Sequence, residues 1–240
     1  MTHINIALKE QDMSDQRQAP ELLEAMRRCA SRIPESLAKK ILPEQTAILV
    51  IDIQNDFCHN NGIQAKRGLD VNQAQEMVPN LLKFLNEARK YHLLIIYIRY
   101  ITTKWSLSPV LLEPDMKYPE HLRPLCQEGT WGSEFYKVSP QKDECVVDKH
   151  RFDAFTGNNL EQILRTRGIK TVIITGVATP VCVESTAREG FARDFFVVIV
   201  KDCVAARIIE EHDVSLSILN KFFATAAISK EIITSWSKES

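Results

Sequence analysis

The sequence predicts an α/β fold: a three-layer α/β/α sandwich built on a six-stranded parallel sheet. Two observations carry that prediction. Short apolar runs rich in β-branched residues alternate with longer stretches of helical periodicity through most of the chain. The runs are also apolar at successive positions, the pattern of strands covered on both faces. Right-handed crossovers then make the sheet parallel and put helices on both sides of it. At 240 residues the chain is long enough to close one such domain around a substantial core.

Residues 1–19 are polar and are expected to be poorly ordered. Between Pro20 and Leu42 the apolar residues Leu22, Leu23, Met26, Cys29, Ile33, Leu37 and Ile41 recur at helical spacing, and Pro34 must break or kink the run. Residues 1–45 therefore read as a partly helical extension, laid on the domain of residues 46–240 or on a partner subunit. Ala47 to Ile51 is the first buried strand, and it ends directly in Asp52. Gln73 to His92 is a helix with Met77, Leu81, Leu82, Leu85 and Ala88 on one face, and it leads into the strand Leu93 to Tyr100.

Residues 101–144 lose periodicity and collect Pro109, Pro114, Pro119, Pro124, Gly129, Gly132 and Pro140. A long irregular insertion in a compact domain is either a functional lid or hides an unrecognised element. Trp105, Tyr118 and Trp131 within it read as local packing anchors before substrate contacts. Cys145 to Asp148 is the third strand, a helix runs from Leu160 to Arg167 and stops at Gly168, and Thr171 to Thr175 is the fourth strand. That strand opens into an amphipathic helix reaching about Arg193. A strand from Phe196 to Val200, a helix from about Arg207 to Phe223, a short strand from Thr225 to Ile228 and a final helix capped by Ser229 complete the chain.

The net charge of -1 offers no composition-level reason for nucleic acid or an anionic membrane as a partner. Nothing from Met1 to Pro20 reads as a signal peptide, and no apolar run approaches the roughly 20 residues of a membrane span. A soluble cytoplasmic protein is the expectation. The six cysteines show no CxxC pairing and no accompanying His spacing, so they read as free thiols and not as disulfides or a zinc site.

Three polar residues stand at C-terminal ends of buried strands: Asp52, Lys149 and Cys182. In open α/β sheets that edge is where ligands bind. Each has a plainer reading. Asp52 suits an Asx-turn or a helix cap, Lys149 an ordinary strand end, and Cys182 a small buried hydrophobe. If their strands are neighbours, however, the three converge as a carboxylate, an ammonium and a thiol, the set that nucleophilic acyl transfer requires. Cys182 would open a helix, where the unpaired amides and the dipole favour thiolate. Asp52 would accept the thiol proton and return it to the departing amine. Lys149 would hold both charges, and backbone amides in the turn before the helix would face the oxyanion.

The motifs Val50-Ile51-Asp52-Ile53-Gln54-Asn55-Asp56-Phe57, Val147-Asp148-Lys149 with Phe152-Asp153-Ala154-Phe155, and Gly176-Val177-Ala178-Thr179 with Cys182 and Glu184-Ser185-Thr186-Ala187-Arg188 resemble the isochorismatase-like cysteine hydrolases. The resemblance spans about Thr46 to Trp236. It implies the isochorismatase-like fold, an Asp52, Lys149, Cys182 triad, a cis peptide between Val177 and Ala178, and an oxyanion hole formed by the amides of Ala178 and Cys182. It also implies Phe57 as an aromatic that packs on substrate, with Tyr100 and Phe152 as further substrate-binding candidates. Relatives are usually dimers or tetramers, so a homodimer or homotetramer is implied.

Two departures bear on the substrate. The metal-binding Asp-x-His of nicotinamidases has no counterpart in Arg99 to Trp105, so no metal and no other cofactor is expected. The isochorismatases that cleave a vinyl ether do not rely on a cysteine nucleophile, whereas Cys182 is present. Gly129-Thr130-Trp131-Gly132 and the block Lys149 to Arg188 look most like the carbamoyl and ureido amidohydrolases, the N-carbamoylsarcosine, biuret and ureidoacrylate hydrolases among them. The implied activity is hydrolysis of a small linear amide through a cysteine thioester with release of ammonia. A family hydrolase of another small substrate, nicotinamide-like or isochorismate, a non-catalytic binding member, and a redox-sensing Cys182 are the competing readings. Pro180, where relatives commonly carry Asn, is the second departure.

Overall fold

The computed structural model of the chain describes residues 20–117 and 124–239. The expectations for residues 1–19 and for Tyr118 lie outside them. The chain divides between Glu35 and Ser36 into two compact units. The first contains helix α1 (Pro20–Ala30), with an Arg28–Glu24 pair at i,i+4.

The second unit starts with α2 (Leu37–Lys40), capped by the Ser36 hydroxyl, and a 3-10 turn at Pro43–Gln45. It continues with β1 (Thr46–Ile51), α3 (Asn55–Cys58), α4 (Ile63–Lys66), α5 (Asn72–Lys90), β2 (Leu94–Tyr100), α6 (Pro109–Met116) and β3 (Cys145–Lys149). There follow α7 (Leu160–Thr166), β4 (Thr171–Val177), a π turn at Thr179–Val183, α8 (Glu184–Ala192), β5 (Phe196–Ala205), α9 (Ile209–Phe222), β6 (Thr225–Ala227) and α10 (Ser229–Glu239).

All five strand pairings are parallel, and the order is β3-β2-β1-β4-β5-β6. The six strands fall on the expected runs, and the central pair shows the reason, since β1 and β4 are covered on both faces and buried at every position. Two cores result. One lies between the sheet and the α5 and α10 helices, around Phe84, Tyr97 and Trp236, whose indole Nε1 donates to the Ile41 carbonyl at 3.1 Å. The other lies under α7, α8 and α9, around Phe155, Leu160, Leu164, Ala187 and Leu219. No described helix is long and apolar enough to cross a membrane.

The chain departs from expectation in several places. β5 continues five residues beyond Val200, because its polar pair Lys201-Asp202 sits at a register shift opposite Ile174 and Gly176, where one exposed position costs no core contact. Ser229 is the first helical residue of α10 and not its cap; its amide and hydroxyl donate to the Asp202 carboxylate, at 2.7 and 2.6 Å. Part of the 101–144 insertion is regular, since α6 lies within it, opened by Ser108 as N-cap and Pro109 at its first position. Trp105 is 84% exposed and carries only the Lys104 ammonium over its ring, at 4.8 Å, so it anchors no core. Trp131 is half exposed and meets His59 edge-on.

Candidate active site

The strand order reverses direction between β1 and β4, from which the chain winds outward to both edges. Ligands in open α/β sheets bind outside the carboxyl ends of the strands at such a point. Asp52 follows β1 there, and Cys182 follows β4.

Asp52 is fully buried, and its φ of 55° puts it in the left-handed region, which a short polar side chain tolerates. Its amide still donates to the Ile98 carbonyl of β2 at 3.0 Å. Lys149 is the last residue of β3 and is also fully buried. The three strands are not all neighbours, contrary to the simplest expectation, because β2 lies between β1 and β3. Lysine has the reach to cross it. Its ammonium passes the Tyr100 ring at 5.0 Å and meets Asp52 Oδ2 at 2.9 Å. It also donates to the carbonyls of Arg151 and Phe152, at 3.1 and 3.0 Å. Three acceptors satisfy an ammonium that has three protons to give.

Cys182 sits buried in the π turn ahead of α8, close enough to Asp52 and Lys149 for the charges of both to act on its thiol. The peptide bond Val177–Ala178 is cis. The Ala178 carbonyl accepts from the amides of Val181 and Val183, at 3.0 and 3.3 Å, while its own amide makes no hydrogen bond among the described residues. Pro180 occupies the first turn, where the missing amide hydrogen breaks no helical bond. The Thr186 hydroxyl donates to the Cys182 carbonyl at 2.6 Å and accepts from the Ala154 amide at 3.1 Å, which ties the cysteine turn to the loop after β3.

The electrostatics correct one expectation. A helix N-terminus was to favour thiolate, yet burial pushes the Cys182 thiol well up; the Lys149 charge opposes this and the Asp52 charge adds to it. Loss of water outweighs the nearby amides and ammonium, so the resting sulfur is a thiol. Burial likewise raises Asp52 above its ordinary value against the pull of Lys149. Lys149 loses hydration too, but Asp52 and Cys182 together more than restore its charge and hold it above its ordinary value. The group is therefore a buried ion pair beside a protonated nucleophile, with a carboxylate more basic than an exposed one.

Cys182 and Ala178 open into a cavity of about 550 Å³. Phe57, Tyr100 and Phe152 all line it, with Phe57 edge-on to Tyr100 at 6.3 Å. Sequence reading missed other parts of the lining, among them Leu111 and Leu112 of α6, Leu125, and two arginines. Arg67 pairs with Asp115 of α6 at 3.2 Å. Arg207 is exposed and makes no ion pair among the described residues. None of these belongs to a periodic or recurrent motif; the irregularity of the insertion was the one signal for the three leucines, and nothing in the sequence marked the two arginines. Among the described residues no group of three or more His, Cys, Asp or Glu is placed to hold a metal ion.

The motif after β1 has a second use. Buried Gln54 donates to the carbonyls of Tyr100 and Ser133, at 2.9 and 2.8 Å, and accepts from the Tyr100 amide at 2.8 Å. Asn55 donates to the Trp131 carbonyl at 2.8 Å. Asp56 accepts from the amides of Cys126 and Ile63, at 2.7 and 3.0 Å, and Gly132 presses so closely on its carboxylate that a Cβ there would collide with it. One strand end thus both carries the carboxylate and fastens the insertion to the sheet.

Known proteins share the sequence pattern and the fold of this chain. The sequence pattern of the Isochorismatase domain matches residues 46–231. The chain is 30% identical over 216 residues to the ureidoacrylate amidohydrolase RutB of Acinetobacter baylyi, covering 85% of this chain and 87% of that protein. A cysteine hydrolase from Pseudomonas syringae pv. phaseolicola superposes with a TM-score of 0.74 at 25% identity, over 84% of this chain and 96% of that one. The N-carbamoylsarcosine amidase of Thermoplasma acidophilum superposes with a TM-score of 0.62 at 26% identity, over 77% of this chain and 96% of that one.

Proposed function

The chain belongs to the isochorismatase domain family, and on that premise we propose that it is a metal-independent amidohydrolase that cleaves a linear amide of the ureido or carbamoyl type through a thioester on Cys182. The observation that carries this reading is the buried Lys149–Asp52 pair, whose charges act on the buried Cys182 thiol at the wall of a cavity. A carboxylate made basic by burial beside a protonated sulfur is suited to deprotonate it during attack and not before.

The roles follow from the contacts. As Sγ bonds to the amide carbon, Asp52 takes the thiol proton and the carbonyl oxygen becomes an oxyanion. The amides of Ala178 and Cys182 would face that oxygen, and the unpaired Ala178 amide supports the assignment. Collapse breaks the C–N bond, and Asp52 returns the proton to the leaving nitrogen. Water, deprotonated by Asp52, then cleaves the thioester and restores the thiol. Lys149 keeps Asp52 ionised and oriented between steps. Phe57, Tyr100 and Phe152 pack on the substrate, and unpaired Arg207 supplies a cation for a substrate carboxylate, in keeping with relatives named for ureidoacrylate and N-carbamoylsarcosine.

The test is ammonia release from ureidoacrylate, N-carbamoylsarcosine and simple ureas by wild type, Cys182→Ala and Cys182→Ser. Both variants are expected to fold and to lose activity by at least about 10³-fold, as removal of a nucleophile does. Mass spectrometry of Asp52→Asn mixed with substrate is expected to find no acyl adduct on Cys182, and quenched wild type to carry one. Unchanged turnover in the cysteine variants would overturn the reading.

A further inference from the structure

We infer that the amide cleaved at this site carries an extended apolar substituent, seated against the wall that α6 and Leu125 contribute to the cavity shared with Cys182. The inference rests on the amidohydrolase reading and adds a substrate class to it.

Volume is the first argument. A ureido group has four non-hydrogen atoms, about four water volumes or ~120 Å³, whereas the cavity measures about 550 Å³. The chemistry of the lining is the second. The lining carries polar groups, Arg67, Asp70, Asp115 and Arg207 among them, but much of it is aliphatic and aromatic: Leu107, Leu111, Leu112, Leu125, Phe152 and Val181. Water in such a space finds few partners, and an apolar ligand that displaces it gains the transfer free energy of its own surface. The third argument is that the wall is fastened. Asp115 of α6 is paired with Arg67, whose side chain is buried, and Asp56 and Gln54 hold the segments around Leu125 and Ser133 to the sheet. The space is therefore a formed pocket and not the gap beneath an open flap.

A substituent running from the ureido group past Phe152 towards Leu111 would fill it. Because the ureido end is fixed at Cys182, contacts made by the substituent orient the amide carbon as well as binding it. Chain length should then appear in kcat/KM.

The experiment uses the full chain and N-carbamoyl α-amino acids whose linear side chains grow from none, in N-carbamoylglycine, to six carbons, with ammonia release as the readout. The expected result is a rise in kcat/KM of up to about fourfold per methylene, the factor that about 0.8 kcal/mol per buried CH₂ corresponds to. Leu111→Trp, with Leu125→Phe as the alternative should the first fail to fold, is expected to move the optimum to shorter members. Turnover that is flat or falls along the series, with the short members active, overturns this inference and leaves the amidohydrolase reading intact. An optimum unmoved by a folded wall variant also overturns it. Absence of turnover for every member, the shortest and the simple ureas included, overturns the amidohydrolase reading and this one together.

Discussion

The two halves of the cavity are built by different means. The catalytic half consists of residues that end or follow strands β1, β3 and β4, each buried and each fixed by the ladder behind it. The other half is α6 and the irregular chain around Leu125, which contribute few residues to either core and leave Val110, Met116 and Trp105 exposed. Chemistry needs reacting groups held to a fraction of an ångström, and sheet ends supply that. A wall that selects among substituents only needs the right shape and polarity. Substitutions in the first half should therefore cost fold and rate together, and substitutions in the second should change substrate preference at little cost in stability.

The sharpest break of the first half is Gly176→Ala. Gly176 has a φ of 110° and faces Ile51 in the register of β1 and β4, and a Cβ there would land on the Ile51 carbonyl oxygen and crowd its amide. Neither neighbour is a side chain that can turn away. A loss of about 4 kcal/mol or more is expected, a fall of Tm by roughly 8–16 °C in a domain of this size, with activity lost alongside. Thermal unfolding by circular dichroism checks it; a wild-type Tm would show that the two strands can part locally.

Lys149→Met comes next. It strands the Asp52 carboxylate in the interior, where breaking a buried pair costs about 3–5 kcal/mol, and it removes the cation that orients the base. The double variant Asp52→Asn with Lys149→Met should regain much of the stability and none of the rate. Denaturant melts beside ammonia release separate these outcomes. Recovery of activity in the double variant would remove the pair from the mechanism.

The pH profile sharpens the same comparison. Burial raises Asp52, and a base is inactive below its pKa, so the acid limb of kcat/KM should lie above the ordinary carboxylate value of 3.8. Burial also raises Cys182, which leaves less thiolate than a free thiol has at neutral pH. Iodoacetamide should therefore label Cys182 more slowly than it labels N-acetylcysteine at pH 8, and the rate should still be climbing at pH 9. Peptide mapping by mass spectrometry reads this, and labelling faster than the model thiol would restore the thiolate that a helix N-terminus suggests.

The same division explains what was legible in the sequence. Strand runs such as Ala47 to Ile51 and Thr171 to Thr175 announce themselves, because a strand covered on both faces has no polar position to hide. Asp52, which directly follows the first, could be located by that fact, and Cys182 by the helix start that the second leads into. That Lys149 reaches across β2 could not, since strand order is a property of the sheet and not of any one segment. The thiol's elevated pKa was misread because desolvation depends on the whole surrounding fold, whereas a helix start is local. In the insertion, the helix Pro109–Met116 was hidden by its own Pro114 and an apolar pattern with no preferred face. The contacts that make it a wall, Arg67 with Asp115 and Asp56 with the Cys126 amide, join residues tens of positions apart.

The smallest effect is expected where the second half is pinned. The Arg67–Asp115 pair joins a guanidinium side chain only 6% exposed to a carboxylate 35% exposed, so its screening lies between that of a surface pair and that of a buried one. Asp115→Ala leaves Arg67 without this partner, but water can reach the site from the Asp115 side, and the cost should stay near 1 kcal/mol. Neither residue touches Asp52, Lys149 or Cys182. The rate at saturation should therefore hold, while KM for long-chain N-carbamoyl acids rises a few-fold as α6 loses its tether and the wall loosens. For N-carbamoylglycine, too short to reach α6, KM should change less. Steady-state kinetics on the two substrates, with a thermal melt as control, measure all three quantities. A fall in kcat with KM unchanged would place α6 among the elements that hold the reacting groups, and the contrast between the two halves of the cavity would then fail.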